Sequence, residues 1–189
     1  ITIGNTRDYS VLHGKVLQKM NISYVSTTPA LAIIDSNYLF VDLVCGRRRH
    51  PLPPILKDAL TNYLTQGGKM LISSDHISQI DKQWLQTNTL TRYYAKNATR
   101  SGKVHGVNGE RFKVVLKPNT DQLFSPAPQA LMPASEQAQV IANYVDMRCP
   151  AAIGTKSINN SATLVWGFPL EAATHFEKIY QHSILWLFK

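Results

Sequence analysis

The segment Ser73-Ser-Asp-His76 brings together a hydroxyl, a carboxylate and an imidazole, the three groups of nucleophilic catalysis. It follows an apolar run, so a strand is expected to carry it to the edge of a sheet. In a sharp turn from strand to helix, Ser74 would project as the nucleophile and His76 could serve as its base. Ser74 lacks the small neighbours that such elbows favour, so a turn-capping role for Ser74 or Asp75 is the stronger interpretation.

A second candidate is a run of four basic or titratable residues: Arg47, Arg48, Arg49 and His50. Guanidinium groups match the geometry of carboxylates, sulfates and phosphates, so this run could form an anion-binding site. The alternative is a turn whose arginines are solvated. Cys45 lies close to these cations and could be an activated thiol. Because it ends an apolar segment, a buried structural role is favoured.

The histidines and cysteines do not form a metal-binding pattern. No His-x-x-x-His pair occurs, and Cys45 and Cys149 are too far apart in sequence for the spacing of a zinc site. We therefore predict no metal and no cofactor. Two free thiols are favoured over one long-range disulfide. His175 and His182 are seven residues apart, so they share one face of the predicted terminal helix.

The composition is that of a folded protein with a basic surface. The 189 residues include 20 Lys and Arg against 12 Asp and Glu, a formal charge of +8, with 44% hydrophobic and only 17% charged residues. This excludes a disordered chain, and no apolar run reaches the roughly 18 residues of a membrane span. No nucleic-acid-binding signature accompanies the charge, so nucleic acid is not an expected partner. Because Ile1 is not an initiator Met, we expect a part of a longer chain.

Hydrophobic periodicity predicts the elements that would position these residues. Helices are predicted at 8–20, 54–64, 135–145 and 171–188, with a helical turn at 80–85. Strands are predicted at 1–5, 22–26, 38–45, 69–73, 151–154 and 162–167. Two further strand-like runs, 103–107 and 111–116, flank Asn108-Gly109, which is a strong signal for a β-hairpin.

The alternation of strands and helices in the first half is typical of βαβ units and a parallel sheet. We therefore predict one domain, residues 1–189, with an α/β fold. The expected architecture is a three-layer α/β/α sandwich with a mostly parallel, flavodoxin-like sheet and a small β-hairpin insertion. Ligands of such sheets bind beyond the carboxyl ends of the strands, where the three candidate segments 45–50, 73–76 and 166–171 would lie.

Two stretches, NYLTQGGKMLISSDHIS and ATLVWGFPLEAATHFEKIYQHSILWLF, resemble the class I glutamine amidotransferase-like superfamily. They look closest to a divergent branch in extracytoplasmic bacterial proteins labelled xanthan lyase-like or golvesin-related. Active members have a Gly-x-Cys-x-Gly elbow after the Gly-Gly region and a His-Pro-Glu segment after a late strand. Ser74 or a neighbour aligns with that cysteine, and Phe168-Pro169 with the His-Pro, so glutamine hydrolysis is not expected. Glu171 lies near the position of the Glu.

Two functional hypotheses follow. The first is a non-catalytic amidotransferase-like module of a secreted or periplasmic protein, which contacts other domains of its chain and binds an anionic polysaccharide through Arg47 to His50. The carbohydrate and the extracytoplasmic location are implied by the resemblance alone. The second is a glycan-directed lyase or ester hydrolase that uses Ser74 with His76 or His50.

Overall fold

The computed structural model describes residues 1, 9–29, 32–46, 52–118, 120–121 and 123–189. Within these ranges the helices are α1 (Ser10–Lys19), α2 (Pro54–Thr65), α3 (Lys82–Thr89) and α4 (Phe176–Phe188), with 3₁₀ turns at Ile77–Gln79 and Leu170–Ala172. The strands are β1 (Val41–Gly46), β2 (Lys69–Ser74), β3 (Thr91–Lys96), β4 (Lys103–Gly106), β5 (Lys113–Val115), β6 (Gln129–Pro133), β7 (Ala138–Tyr144), β8 (Pro150–Lys156) and β9 (Ala162–Trp166).

Seven of the described strands form one strongly curled, mixed sheet in the order β1-β2-β9-β8-β7-β4-β5. Strands β1, β2 and β9 are parallel, whereas each pairing from β9 to β5 is antiparallel. The prediction of a mostly parallel, flavodoxin-like α/β/α sandwich is therefore wrong. The physical reason is that short turns join β7 to β8 and β8 to β9, and a parallel pair needs a crossover of about a dozen residues or more.

Side chains on the two faces of this sheet belong to separate apolar clusters. On one face, the buried stripes of α1 and α4 pack against residues such as Leu71, Leu164 and Trp166. On the other face, α2 and α3 cover a cluster that includes Met70 and Val165. Successive residues of β2 and β9 thus alternate between the clusters, as expected for strands that are buried on both faces.

Several predicted elements are confirmed with small shifts of their ends. Helix α1 falls within the predicted 8–20, α2 begins at Pro54, and α4 ends at Phe188 as predicted. The hairpin is also present: Asn108 and Gly109 have φ values of +54° and +83°, and Glu110 N–H donates to the Val107 carbonyl at 3.0 Å. This is the geometry of a type I′ turn, which Asn-Gly favours. The hairpin is not an insertion, however, because β4 pairs with β7 and extends the main sheet.

Two predicted elements are wrong, and one lies outside the described residues. The segment predicted as a helix at 135–145 forms strand β7, because pairing with β8 and β4 outweighs the helical propensity of its Ala and Gln residues. The segment 22–26 is predicted as a strand but is irregular and mostly exposed. The predicted first strand, 1–5, falls on residues that are not described apart from Ile1.

Strands β3 and β6 form a separate two-stranded ribbon whose Leu131 packs into the α2/α3 cluster. The start of β6 is joined to the end of β9, since Gln129 N–H donates to the Gly167 carbonyl at 2.6 Å. A Cβ atom at Gly167 would lie 1.9 Å from the Gln129 carbonyl oxygen. The obstacle is backbone, so it cannot rotate away, and only glycine permits this approach.

We predict that Gly167→Ala lowers the free energy of unfolding by about 2–3 kcal/mol, because the added methyl group must push β6 away from β9. Chemical denaturation followed by circular dichroism measures the change. Ser157→Ala, in the exposed turn between β8 and β9, is the control and should stay within about 0.5 kcal/mol of the parent. Equal stability of Gly167→Ala and the parent would contradict the close approach.

Candidate functional site

The predicted segment Ser73–His76 lies at the carboxyl end of β2, where its first three residues are buried and His76 is partly exposed. Ser74 is 1% exposed and Asp75 is 0% exposed. The Ser74 hydroxyl accepts a hydrogen bond from the His76 backbone N–H at 2.9 Å, while the His76 ring lies 3.6 Å from an Asp75 carboxylate oxygen. The Ser74 hydroxyl thus supports the turn that follows the strand, which agrees with the turn-capping interpretation.

The chain itself covers this end of the sheet. Ser125 donates to the Asp75 carboxylate at 3.4 Å, and the Gln129 side chain exchanges two hydrogen bonds with Ser78, at 3.0 and 3.1 Å. Since Gln129 also binds the backbone of Gly167, the segment 125–129 runs from the end of β2 to the end of β9. It occupies the region where open α/β sheets usually bind ligands.

The anion-binding candidates Arg47, Arg48, Arg49 and His50 lie outside the described residues. Their predicted site therefore stays a prediction. Cys45, which precedes them, is buried, and burial raises the pKa of its thiol to about 12. Cys45 and Cys149 are free, as expected, and the raised pKa fits a structural role for Cys45 rather than a nucleophilic one.

Glu171, which the family resemblance places near the motif's Glu, is part of a buried polar cluster. The sequence analysis did not predict this cluster. His13 on α1 contacts Asp42 on β1 through Nδ1 at 2.5 Å and Glu171 through Nε2 at 3.0 Å. The Tyr180 hydroxyl on α4 donates to the same Asp42 oxygen at 2.6 Å. The cluster lies between the sheet and the helices α1 and α4, so it links four separate parts of the chain.

The electrostatics of the cluster favour a charged imidazole. Burial alone would lower the pKa of His13, but the carboxylates of Asp42 and Glu171 outweigh it and raise this pKa to about 10. For Asp42, burial acts to raise the pKa, whereas the charge and hydrogen bond of His13 hold it below its usual value. Burial, with the charge of Asp42, raises the pKa of the Tyr180 hydroxyl. At neutral pH, His13 therefore keeps its positive charge, Tyr180 keeps its hydroxyl proton and Asp42 is ionised.

A pocket of about 210 Å³ lies next to this cluster. Asp42 reaches its wall with 12% of its side chain exposed, and it is the one charged side chain among the described lining residues. Leu17, Phe40 and Ile34 contribute apolar surface. The pocket thus has an apolar lining with one carboxylate.

The arrangement suits stabilisation of the fold better than acid–base catalysis. A general base must reach its substrate and have a pKa near the working pH. His13 is 3% exposed, and both of its nitrogens are already bound to carboxylates. Within the described residues, no group of three His, Cys, Asp or Glu side chains is placed to hold a metal ion. Nor is any helix of the described part long and apolar enough to cross a membrane.

Two sequence signals could have indicated the cluster. Asp42 interrupts the nearly continuous apolar run at 38–45, and a charge within a buried strand needs a partner. His13 lies three and four residues before Val16 and Leu17, on the buried side of α1. The sequence does not show that these two residues meet, because their contact depends on how α1 packs against the sheet.

No family model matches the sequence, and no curated protein matches it. Solved structures with a similar fold include a β-galactosidase from Bacillus circulans sp. alkalophilus, with a TM-score of 0.65 and 15% identity over 92% of this chain. The exo-β-1,4-mannosidase Op5Man5 from Opitutaceae bacterium strain TAV5 has a TM-score of 0.62 and 10% identity over 98% of this chain. A putative GMP synthase subunit from Thermoplasma acidophilum has a TM-score of 0.59 and 11% identity over 98% of it.

The share of each neighbour that is matched differs widely. This chain spans 25% of the β-galactosidase and 34% of the mannosidase, but 92% of the putative GMP synthase subunit. Identities this low show a common fold alone. The same arrangement of elements therefore occurs both within long glycosidase chains and as a chain of its own.

We predict that His13→Gln lowers the free energy of unfolding by about 3–5 kcal/mol, because it removes the one cation that contacts both buried carboxylates. Denaturant titration at neutral pH measures the loss. His105→Gln is the matched control, because His105 is exposed on β4 and should tolerate the change within about 0.5 kcal/mol. Equal losses in the two variants would contradict the role of His13 as the central cation.

The pH dependence provides a second prediction. The pKa of His13 is raised on folding from 6.5 to about 10, so its stabilisation is complete below pH 6.5 and is lost as the pH rises toward about 10. Between about pH 7 and about pH 8.5, the parent should lose about 1 kcal/mol per pH unit more than His13→Gln, because the other groups that titrate there are common to both proteins. His13→Gln should show a flatter profile in this range. Parallel profiles for parent and variant would refute a charged His13.

Proposed function

We propose that this chain is a non-catalytic module of a larger extracytoplasmic bacterial protein and that it binds an anionic polysaccharide. In this proposal it is a divergent relative of the class I glutamine amidotransferase-like superfamily. The burial of its reactive groups is the observation that carries the non-catalytic part. Ser74 and His13 are 1% and 3% exposed, and the segment 125–129 covers the strand ends between β2 and β9.

The positions of the two resembling segments support the relationship to amidotransferases. One segment includes β2 and the other includes β9, and these strands are parallel neighbours with Ser73 opposite Trp166. Ser74 therefore lies at the end of one strand and Phe168 just beyond the end of the next. Phe168 is fully buried, with its ring centroid 5.3 Å from that of Trp166. A buried phenylalanine cannot serve as the base that glutamine hydrolysis requires.

The comparison with glycosidases supports the idea of a module. The chain matches a quarter to a third of the β-galactosidase and the mannosidase, so a unit of this fold is found in chains several times longer. Both enzymes are named for carbohydrate substrates. A carbohydrate partner for this chain is consistent with that context and with the resemblance to xanthan lyase-like proteins.

The charge of the chain favours an anionic partner. A formal charge of +8 gives long-range attraction to polyanions, which strengthens at low ionic strength. Arg47, Arg48 and Arg49 concentrate part of this charge in one short segment. Guanidinium groups bind carboxylates through paired hydrogen bonds, so uronic acids are suitable ligands.

Affinity electrophoresis in gels that contain polygalacturonate tests the proposal. We expect retarded migration at low salt, no retardation in a neutral galactomannan gel, and about tenfold weaker binding of the Arg47→Ala/Arg48→Ala/Arg49→Ala variant. The matched control is Lys15→Ala/Lys82→Ala/Lys96→Ala, which removes the same charge from exposed positions elsewhere. Equal losses of binding in both variants would show that binding depends on the net charge of the protein and not on the arginine segment. Migration unaffected by polygalacturonate would refute polysaccharide binding.

The same preparation tests the non-catalytic part. Incubation with glutamine, with p-nitrophenyl acetate and with polygalacturonate should give no turnover above that of Ser74→Ala. An esterase or lyase activity that is present in the parent and absent from Ser74→Ala would instead support the hydrolase or lyase that uses Ser74 with His76 or His50.

A further inference from the structure

The outer edge of β1 is paired in part with the backbone of Ile1. The Ile1 nitrogen donates to the Asp42 carbonyl at 2.5 Å, and the Val44 N–H donates to the Ile1 carbonyl at 2.8 Å. Two such bonds, to the residues on either side of Leu43, are the pattern of a parallel strand pair in which Ile1 lies opposite Leu43. Since β1 is the edge strand of the described sheet, Ile1 has the place of a residue in a further parallel strand.

The same edge of β1 has backbone groups that no described residue binds. In an extended strand the N–H and C=O of one residue point to the same side, so the Asp42 N–H points outward with its carbonyl. The Phe40 carbonyl, two residues earlier, has the same direction. Neither group forms a hydrogen bond with another described residue. In the ladder that Ile1 begins, the second residue before Ile1 would bind both groups.

The pocket of about 210 Å³ lies beside this unbonded part of the edge. Its lining includes Ile1 and, from the edge, Phe40 and Val41. Two further lining residues leave large apolar side chains open to solvent, since Val25 is 68% and Ile33 is 79% exposed. Exposed apolar surface of this kind marks a place where another segment docks. The pocket thus combines an open strand edge with an apolar rim.

We infer that this pocket receives the segment directly N-terminal to Ile1, which adds to β1 as a parallel strand and covers the apolar rim. The inference rests on the part of the proposed function that makes this chain a module of a longer protein. The second residue of the segment before Ile1 lies opposite Val41, donates its N–H to the Phe40 carbonyl and accepts from the Asp42 N–H. The module is then joined to the preceding part of its chain by a strand instead of a flexible linker.

The two faces of β1 determine which side chains suit this strand. Val41 belongs to the apolar cluster under α2 and α3, and Ile1 packs against the same cluster. Opposed residues of neighbouring strands share a face, so the second and fourth residues before Ile1 should be apolar. The residue directly before Ile1 lies opposite Asp42, whose buried Oδ1 has no hydrogen-bond partner among the described residues. A hydroxyl side chain there can donate to this oxygen.

Covalent continuity favours this occupant over a separate peptide. The segment is linked to Ile1, whose nitrogen is already held at the edge of β1, so its effective concentration there is high. A separate peptide in the same register would have to end where Ile1 begins. Only a few residues need to be ordered when the strand continues from Ile1, which keeps the entropic cost of docking low.

N-terminal extensions of the chain test the inference. Proteins with Val-Thr-Val-Thr, Gly-Ser-Gly-Ser or Val-Thr-Pro-Thr joined to Ile1 are compared with the 189-residue parent. We expect Val-Thr-Val-Thr to raise the melting temperature by at least about 3 °C above the Gly-Ser extension, and to slow amide hydrogen exchange of Asp42 at least about tenfold by NMR. Val-Thr-Pro-Thr lacks the N–H for the Phe40 carbonyl, so it should give less than half of this rise.

A rim variant separates strand docking from a general effect of a longer chain. Because Ile33 is exposed, Ile33→Ser should leave the melting temperature of the parent within about 1 °C and remove at least half of the rise from Val-Thr-Val-Thr. Ile158→Ser is the matched control, since Ile158 is fully exposed in the turn between β8 and β9, and it should keep the whole rise. Equal effects of the two substitutions would contradict docking at the rim.

The outcomes separate this inference from the proposed function, because polygalacturonate binding is measured on the same proteins. Equal melting temperatures and equal Asp42 exchange for the three extensions, with binding retained, would overturn the strand and leave the proposed function standing. A rise with Val-Thr-Val-Thr but no polygalacturonate binding would keep the strand and refute the polysaccharide ligand. A dimer of the parent that this extension leaves intact, with Asp42 already protected, would assign the edge to a second copy and overturn the inference.

Discussion

The structure depends on one electrostatic constraint: two carboxylates in the core must share a cation. Asp42 and Glu171 both contact the ring of His13, which lies between them beneath α1 and α4 and stays protonated. The contact fixes where α1 sits on the sheet, and the Tyr180 hydroxyl fixes α4 against the same carboxylate.

The region beyond the carboxyl ends of parallel strands, where open α/β sheets usually bind ligands, is occupied by the chain itself between β2 and β9. Gln129 and Ser125 fill the space beyond β2 and β9 with the chain's own polar groups. The Ser74 hydroxyl and the Asp75 carboxylate at the end of β2 therefore make hydrogen bonds within the protein.

Local sequence signals predicted the elements better than the architecture. Pro54, the Asn108-Gly109 turn and the apolar stripe of α4 act through neighbouring residues, so the sequence pattern alone indicated them. The direction of β7 to β9 and the strand character of 138–144 depend on pairing partners distant in the sequence. The same distinction between local signals and distant contacts applies to the buried cluster. Glu171 was recognised through its motif, whereas its link to His13 depends on the packing of α1.

The pairing of β2 with β9 has a consequence for how the chain folds. Lys69 lies opposite Ala162, and α3 and six strands separate them in sequence. The pair of β2 and β9 at the centre of the sheet therefore cannot form until β9 has been synthesised. Until then, the apolar faces of α2 and β2 stay uncovered. Such non-local pairing slows folding and prolongs exposure to aggregation. On the ribosome, α2 and β2 should therefore depend on protection until β9 emerges.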